Sequence, residues 1–236
     1  MMPRIACEWG LSGIEAWKAS ADLFVIVDVL SFSTAVSVAV GNGAIVFPFP
    51  YGDAAAAAAE AARHGAVAAS PRSAGGGQLS LSPASLKHIA WGTRLLLPSP
   101  NGSRLSLATD NAPTICGCFR NARAVGAAAR RLAGDGTIVV IAAGERWPDQ
   151  TLRPAIEDWL GAGAIIDALG GTRNAEADLA AEAYREAKPR LDQILRDSRS
   201  GGELSGWGYA ADIEVALEVD SADVVPMMRE GAYQAL

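Results

Sequence analysis

The chain has few of the residues that most often announce a chemistry. Its three cysteines, Cys7, Cys116 and Cys118, cannot all pair with one another. So small a number argues against a disulfide scaffold. Cys116-Gly-Cys118 lacks the two-residue spacing of a zinc knuckle or a thioredoxin-type site. Only two histidines occur, His64 and His88, so neither a zinc site nor a histidine-based nucleophile pair is indicated. No Walker loop, G-x-G-x-x-G fingerprint or nucleophile elbow is found. Charged residues make up only 19%, and 20 Lys and Arg against 26 Asp and Glu leave a net charge of −6. That balance gives no general attraction to nucleic acid or to an anionic membrane, and neither is expected as a partner. A local basic pocket for a small anion remains compatible with it.

Long apolar runs are missing too. The segment from Leu23 to Val40 is broken by Asp28 and several hydroxyls, and Ala54 to Ala62 is mostly alanine, so neither reads as a membrane span of about 20 residues. Met1 to Trp17 carries Glu8 and Glu15 and does not read as a signal peptide, which makes the cytoplasm the expected location. In contrast, half of the 236 residues are hydrophobic. This supplies a sizeable core and excludes a chain disordered by low hydrophobicity and high charge.

Short β-rich runs alternate with alanine-rich helical ones. Leu23 to Val29 is apolar at nearly every position, as in a strand covered on both faces. Ser33 to Val40 suits a helix, and Ala44 to Phe49 a strand. Asp53 can cap a helix over Ala54–His64 that Gly65 ends. Ala66 to Ala69 is a weak strand. Ser70 to Ser85, rich in Gly, Ser and Pro, is a loop. Further strands are expected at Arg94–Leu97, Pro113–Cys116, Thr137–Ile141 and Ala222–Pro226. Helices are expected at Arg104–Thr109, Asn121–Ala133, Pro154–Leu169, Asn174–Arg196 (interrupted at Pro189) and Gly206–Glu218. Such alternation predicts an α/β protein, three layers α/β/α about a largely parallel or mixed central sheet. No linker divides it, so residues 1–236 are read as one domain. Ligands of such sheets bind at the carboxyl ends of the strands.

Four segments at or near those ends carry polar chemistry. Asp28 ends an apolar strand, with Ser33 and Thr34 just beyond. A carboxylate there suits a metal ion or a phosphoryl acceptor, or it caps the next helix. Ser99-Pro100-Asn101-Gly102-Ser103 can bring backbone N–H groups to an anion, or is a plain turn. Arg120 can hold phosphate or carboxylate through two parallel hydrogen bonds, or is a surface cation, and Asn121 can cap the helix it opens. Glu157 and Asp158 point about 100° apart on a helix. One can face a metal while the other supports it, or both compensate the helix dipole. Gly161-Ala-Gly163 behind them allows close packing. Trp207, Tyr209 and Val224–Met228 suit either the core or an interface, and a homodimer is a candidate assembly.

This ordered set resembles the 2-phosphosulfolactate phosphatase family of coenzyme M biosynthesis. The resemblance is carried by Val27-Asp28-Val29-Leu30 with Ser33-Thr34, by Ser99 to Ser103, by Arg120-Asn121-Ala122, by Gly144 with Glu157-Asp158 and on to Gly163, and by Gly201 to Pro226 with Gly208 and Asp212. It implies a magnesium (Mg2+)-dependent acid phosphatase with an α/β/α fold, which releases phosphate from 2-phospho-3-sulfolactate and leaves 3-sulfolactate. On that reading Asp28, Glu157 and Asp158 hold the metal and carry the catalysis. Ser33, Thr34, Ser99, Asn101, Gly102, Ser103, Arg120 and Asn121 surround a small anionic phosphorylated substrate. The attacking group is either a water at the metal or Asp28 itself. Where many members have an arginine soon after the first aspartate, this chain has Ser31-Phe32. Two alternatives accompany the reading: a phosphatase for another phosphorylated hydroxy acid, and a non-catalytic binder of a phosphorylated metabolite.

Overall fold

A computed structural model describes residues 2–72, 78–110 and 112–236. The first half runs β1 (Arg4–Trp9), α1 (Gly10–Trp17), β2 (Leu23–Val27), α2 (Phe32–Gly41), β3 (Ile45–Pro50), α3 (Ala54–Arg63), β4 (Val67–Ala68), β5 (Arg94–Ser99) and α4 (Gly102–Ala108). The second runs β6 (Thr114–Cys116), α5 (Ala122–Ala133), β7 (Thr137–Ala142), β8 (Glu145–Arg146), β9 (Leu152–Arg153), α6 (Ile156–Leu169), β10 (Thr172–Arg173), α7 (Ala175–Ala187), α8 (Leu191–Asp197), α9 (Arg199–Gly206), α10 (Ala210–Ala216), β11 (Pro226–Arg229) and β12 (Ala232–Ala235).

Ten of these strands form one sheet in the order β10-β1-β7-β2-β6-β11-β12-β3-β5-β4. It is mixed. Two parallel blocks lie on either side of an antiparallel hairpin, β11–β12, which pairs with β6 through Met227 and Ile115 and with β3 through Tyr233 and Val46. The C-terminal segment is thus the joint between the blocks.

The three layers follow from the period of two along the strands. In β2 all five residues are buried. Leu23, Val25 and Val27 face one way, into a core shared with Val125 of α5, Ile165 of α6 and Ala180 of α7. Phe24 and Ile26 face the other, against Ile14 of α1 and Leu105 of α4. In β3, Val46 packs with Val36 of α2 and with Leu86, while Phe47 packs with Ala57 and Ala61 of α3. A strand covered on both faces has no polar position to lose, which is why its sequence is apolar throughout. The contact of α6 with α7 is close because Gly163 has no side chain. A Cβ there would stand 2.1 Å from the Ala180 carbonyl oxygen.

Several elements depart from the sequence expectation. The first strand and helix, Arg4–Trp9 and Gly10–Trp17, carry no clear periodicity. Glu8 and Trp9 occupy strand positions because β1 pairs with β7 along its whole length. Pro154 does not open a helix; α6 starts at Ile156. The helix expected over Gly206–Glu218 is the shorter α10; α9, not expected from the sequence, ends at Gly206, and the chain turns between them at Gly208, whose φ of +87° suits glycine. The last strand begins at Pro226 rather than ending there and turns back as β12. The loop expected at Ser70–Ser85 includes residues 73–77, which lie outside the described residues; its flanks meet in a bridge between Ser70 and Ser80, and Pro83–Leu86 forms a 3-10 turn. Val225 is buried, whereas Trp207 is 65% exposed. Among the described residues no helix is long and apolar enough to cross a membrane.

Candidate active site

The carboxyl ends of β2, β5 and β7 converge on one cleft of about 170 Å³, lined by Asp28, Ser31, Arg72, Ser99, Asn101 and Glu145, with Trp207 at its rim. Asp28 is the first residue beyond β2. Its backbone closes a tight turn: its N–H donates to Ser33 Oγ at 3.0 Å, and Ser33 Oγ donates to the Asp28 carbonyl at 2.7 Å. The side chain is clamped separately. Phe32 N–H donates to Oδ1 at 3.2 Å and Gly102 N–H to Oδ2 at 2.8 Å. Only glycine lets α4 start this near, since a Cβ on Gly102 would lie 2.2 Å from Phe32 Cδ1. Burial pushes the Asp28 carboxyl from 3.8 to about 6, against the pull of those two N–H groups; the Glu157 charge adds to the rise and Arg72 opposes it.

Glu145, on β8, shares the cleft. Its Oε2 accepts from Asn101 Nδ2 at 2.8 Å. Burial, followed by the charge of Asp28, raises it from 4.5 to about 7. Sequence patterning missed Glu145 because it follows the strand end by three residues and sits in a short two-stranded ribbon with β9.

The cleft's cation is Arg72, which also escaped the sequence reading because it lies in a loop without periodicity. Its guanidinium donates to Ser31 Oγ at 2.5 Å, the position where an arginine was expected from the family resemblance. It also pairs with Asp212 Oδ2 at 3.3 Å and lies over the Tyr209 ring, 5.4 Å from the centroid. Asp212 is fully buried and accepts from the Ser82 hydroxyl and from Ala84 N–H, so it fixes both the arginine and the loop that carries it. Ser99 Oγ is buried, opens on the cleft and has no hydrogen-bond partner among the described residues.

The other sequence candidates have different places. Asp158 ties two strand ends together: Oδ1 accepts from Val29 N–H at 2.7 Å and Oδ2 from Gly144 N–H at 2.9 Å. Burial, then the neighbouring charges of Asp28 and Glu157, hold its carboxyl well above the usual range. Glu157 is 2% exposed and does not line the cleft; burial raises it, while the nearby Ser200 hydroxyl and Arg153 oppose the rise. The hydroxyls of Ser33, Thr34 and Ser103 donate to the carbonyls of Asp28, Val29 and Leu97, and none of the three lines the cleft. Gly102 contributes its N–H to Asp28 rather than to the cleft. Arg120 pairs with Glu218 and donates to the Val215 carbonyl at 3.2 Å, and Asn121 accepts from Cys118 N–H and donates to the Val224 carbonyl. Both brace the tail against the end of β6. These residues differ from the expected phosphate cradle for one reason: a hydroxyl or amide in a buried turn satisfies the nearest backbone group first.

Among the described residues no three His, Cys, Asp or Glu side chains are grouped to cage a metal. The set facing the cleft is Asp28 with Glu145, not Asp28 with Glu157 and Asp158. A hard dication such as Mg2+ keeps several waters and needs one or two protein carboxylates besides phosphate oxygens. Two carboxylates raised by burial, Glu145 also by the charge of Asp28, fit that demand, since a dication beside them relieves both burial and repulsion.

The whole chain has recognisable relatives. A family model described as 2-phosphosulpholactate phosphatase matches residues 13–231. A 2-phosphosulfolactate phosphatase of Methanothermobacter thermautotrophicus is 30% identical over 218 residues, covering 91% of this chain and 90% of that protein. Proteins named probable 2-phosphosulfolactate phosphatases are 27% identical in Thermotoga maritima, over 89% of this chain and 90% of theirs, and 26% identical in Caldanaerobacter subterraneus subsp. tengcongensis, over 88% of each. With a match from the second helical turn of the chain to its final hairpin, this protein belongs to the 2-phosphosulfolactate phosphatase family.

Proposed function

We propose that the chain is a magnesium-dependent phosphatase that converts 2-phospho-3-sulfolactate to 3-sulfolactate and phosphate, in the cytoplasm and in the service of coenzyme M biosynthesis. The observation that carries the reading is the Asp28 cleft: a clamped carboxylate, a second carboxylate, a half-buried guanidinium and a hydroxyl without a partner among the described residues converge at the strand ends of a chain with this family's sequence.

Each residue has a distinct task in this reading. Phe32 N–H and Gly102 N–H hold Asp28 in one orientation, and Asn101 holds Glu145. These two carboxylates are the residues that would hold Mg2+, which supplies positive charge to the phosphate oxygens when bound. Arg72 and the hydroxyls of Ser31 and Ser99 hold the remaining oxygens, where negative charge must be balanced as phosphorus passes between the attacking and leaving oxygens. Asp212 is a positioning residue: it keeps Arg72 directed at Ser31. In this reading water attacks phosphorus and Asp28 serves as the anchor for the metal, its two oxygens oriented by the Phe32 and Gly102 N–H donors.

The test is phosphate release from 2-phospho-3-sulfolactate and from a panel of phosphorylated hydroxy acids, with magnesium and again with EDTA. Magnesium-dependent release, fastest with 2-phospho-3-sulfolactate, is the expected result. Faster release from another ester would keep the site and change the substrate. Binding with no release from any ester would make the protein a phosphometabolite binder.

A further inference from the structure

Asn101 and Glu145 are not the back of the active-site cleft but a partition. On their far side lies a larger cavity of about 390 Å³, bounded by the first turn of α1, by Leu105 of α4 and by the β8–β9 ribbon. Two arginines face into it, Arg104 from α4 and Arg146 from β8. Among the described residues neither forms an ion pair with a carboxylate, unlike Arg72, Arg120 and Arg153, which are paired with Asp212, Glu218 and Glu203. Arg146 has a single weak contact, a donation to the Gln150 carbonyl at 3.4 Å. Both guanidiniums line one cavity, and burial, then the Arg104 charge, lowers the pKa of Arg146. Arg104 is exposed and Arg146 half-buried, so both guanidiniums keep donors free for an anion entering the cavity, whose other ionisable wall residue is Glu145.

The electrostatics of the active-site cleft call for such an anion site. A substrate bearing phosphate, carboxylate and sulfonate must enter beside Asp28 and Glu145, with Glu157 and Asp158 close behind. The one cation in the cleft, Arg72, is already shared with Asp212. With magnesium and Arg72 committed to the reacting phosphate, the further positive charge for the other acid groups of a polyanionic ester lies next to the cleft, in the space that shares Asn101 and Glu145 with it.

We propose that this second cavity is the specificity subsite, in which Arg104 and Arg146 take the non-reacting acid groups of the substrate, sulfonate and carboxylate, while its phosphate lies beside Asp28. The inference rests on the phosphatase reading above and adds the residues that choose the ester. The guanidinium fork matches the paired oxygens of either acid group. The first residues of α1, Gly10 to Ser12, line the same space, and the helix has no side-chain cap.

The experiment compares kcat/KM for three secondary phosphate esters: 2-phospho-3-sulfolactate, 2-phospholactate without the sulfonate, and isopropyl phosphate without either acid. It is run on the wild type, Arg104→Gln, Arg146→Gln and the double variant. The expected result is that each single substitution lowers the preference for 2-phospho-3-sulfolactate over isopropyl phosphate by about tenfold or more. The behaviour of 2-phospholactate then shows which acid each arginine holds. Equal losses on all three esters would overturn the subsite, because they would mark a structural role. In parallel, calorimetry measures binding of 3-sulfolactate, which has no phosphate. Binding that weakens in the arginine variants supports the subsite even where no ester is turned over, and in that event the phosphatase reading alone fails. Binding unchanged by either substitution overturns the subsite.

Discussion

Asp28 combines two properties that pull against each other: it is nearly buried, and its carboxylate is the group the proposed chemistry needs charged. Burial raises it to about 6 and Glu145 to about 7, so near neutral pH protons and a dication compete for the same oxygens. The acid limb of kcat/KM is therefore expected between pH 6 and 7 and should move to lower pH as magnesium is raised; a limb indifferent to magnesium would separate these carboxylates from the metal. Asp28→Asn keeps the shape but sets an amide N–H against one of the two N–H donors. Turnover should fall at least about a hundredfold, and activity near that of the wild type would remove Asp28 from the mechanism. With a substrate whose phosphorus is made chiral by oxygen isotopes, a single direct attack by water should invert the configuration at phosphorus. Net retention, the sum of two displacements at phosphorus, would make Asp28 the nucleophile.

At the scale of elements, the site depends on how strand ends are joined. Asp158 links the end of β2 to the turn after β7 through Val29 and Gly144, and Gly102 brings the start of α4 against Asp28. The β11–β12 hairpin joins the two parallel blocks and carries Tyr233, fully buried, edge-on to Phe32 and hydrogen-bonded to Ser106 at 2.7 Å. Phe32 N–H in turn holds Asp28. Tyr233→Ala should therefore cost about 3–5 kcal/mol in chemical unfolding and also slow turnover, although Tyr233 is not in the cleft. A stability loss below about 1 kcal/mol would show that the hairpin is dispensable to the joint.

For the molecule as a whole, the buried acids link stability to pH and to metal. Asp28, Glu145, Glu157 and Asp158 all have raised pKa values, so the folded state binds protons more tightly than the unfolded state. Their contribution is complete below the ordinary carboxylate range near pH 4; that of Asp28 and Glu145 is lost as pH rises through about 6 to 7, and that of Glu157 and Asp158 is likewise lost above the ordinary range. The metal-free protein should thus become less stable from pH 5 to pH 8. Magnesium should raise Tm more at pH 7.5 than at pH 5.5, by about 5–10 °C at a hundredfold excess over Kd. Equal shifts at both values, read by differential scanning calorimetry, would place the metal away from these acids.

Sequence alone determined the layered architecture and the acid that ends β2. Apolar runs such as Leu23–Val27 can only be strands buried on both faces, and the polar residue that ends such a run falls where loops gather. Segments whose structure depends on distant partners were not legible in this way. β1 follows from its pairing with β7, and β12 from its pairing with Val46. The site divides along the same line. Asp28, Ser99 and Asn101 were readable from their place after strands. Arg72, Glu145, Arg104 and Arg146 were not, because only tertiary structure decides which loop cation meets Ser31, which carboxylate faces the cleft, and which hydroxyls are taken by the nearest carbonyl. Local periodicity records burial, whereas the meeting of charges across the sheet is set by topology.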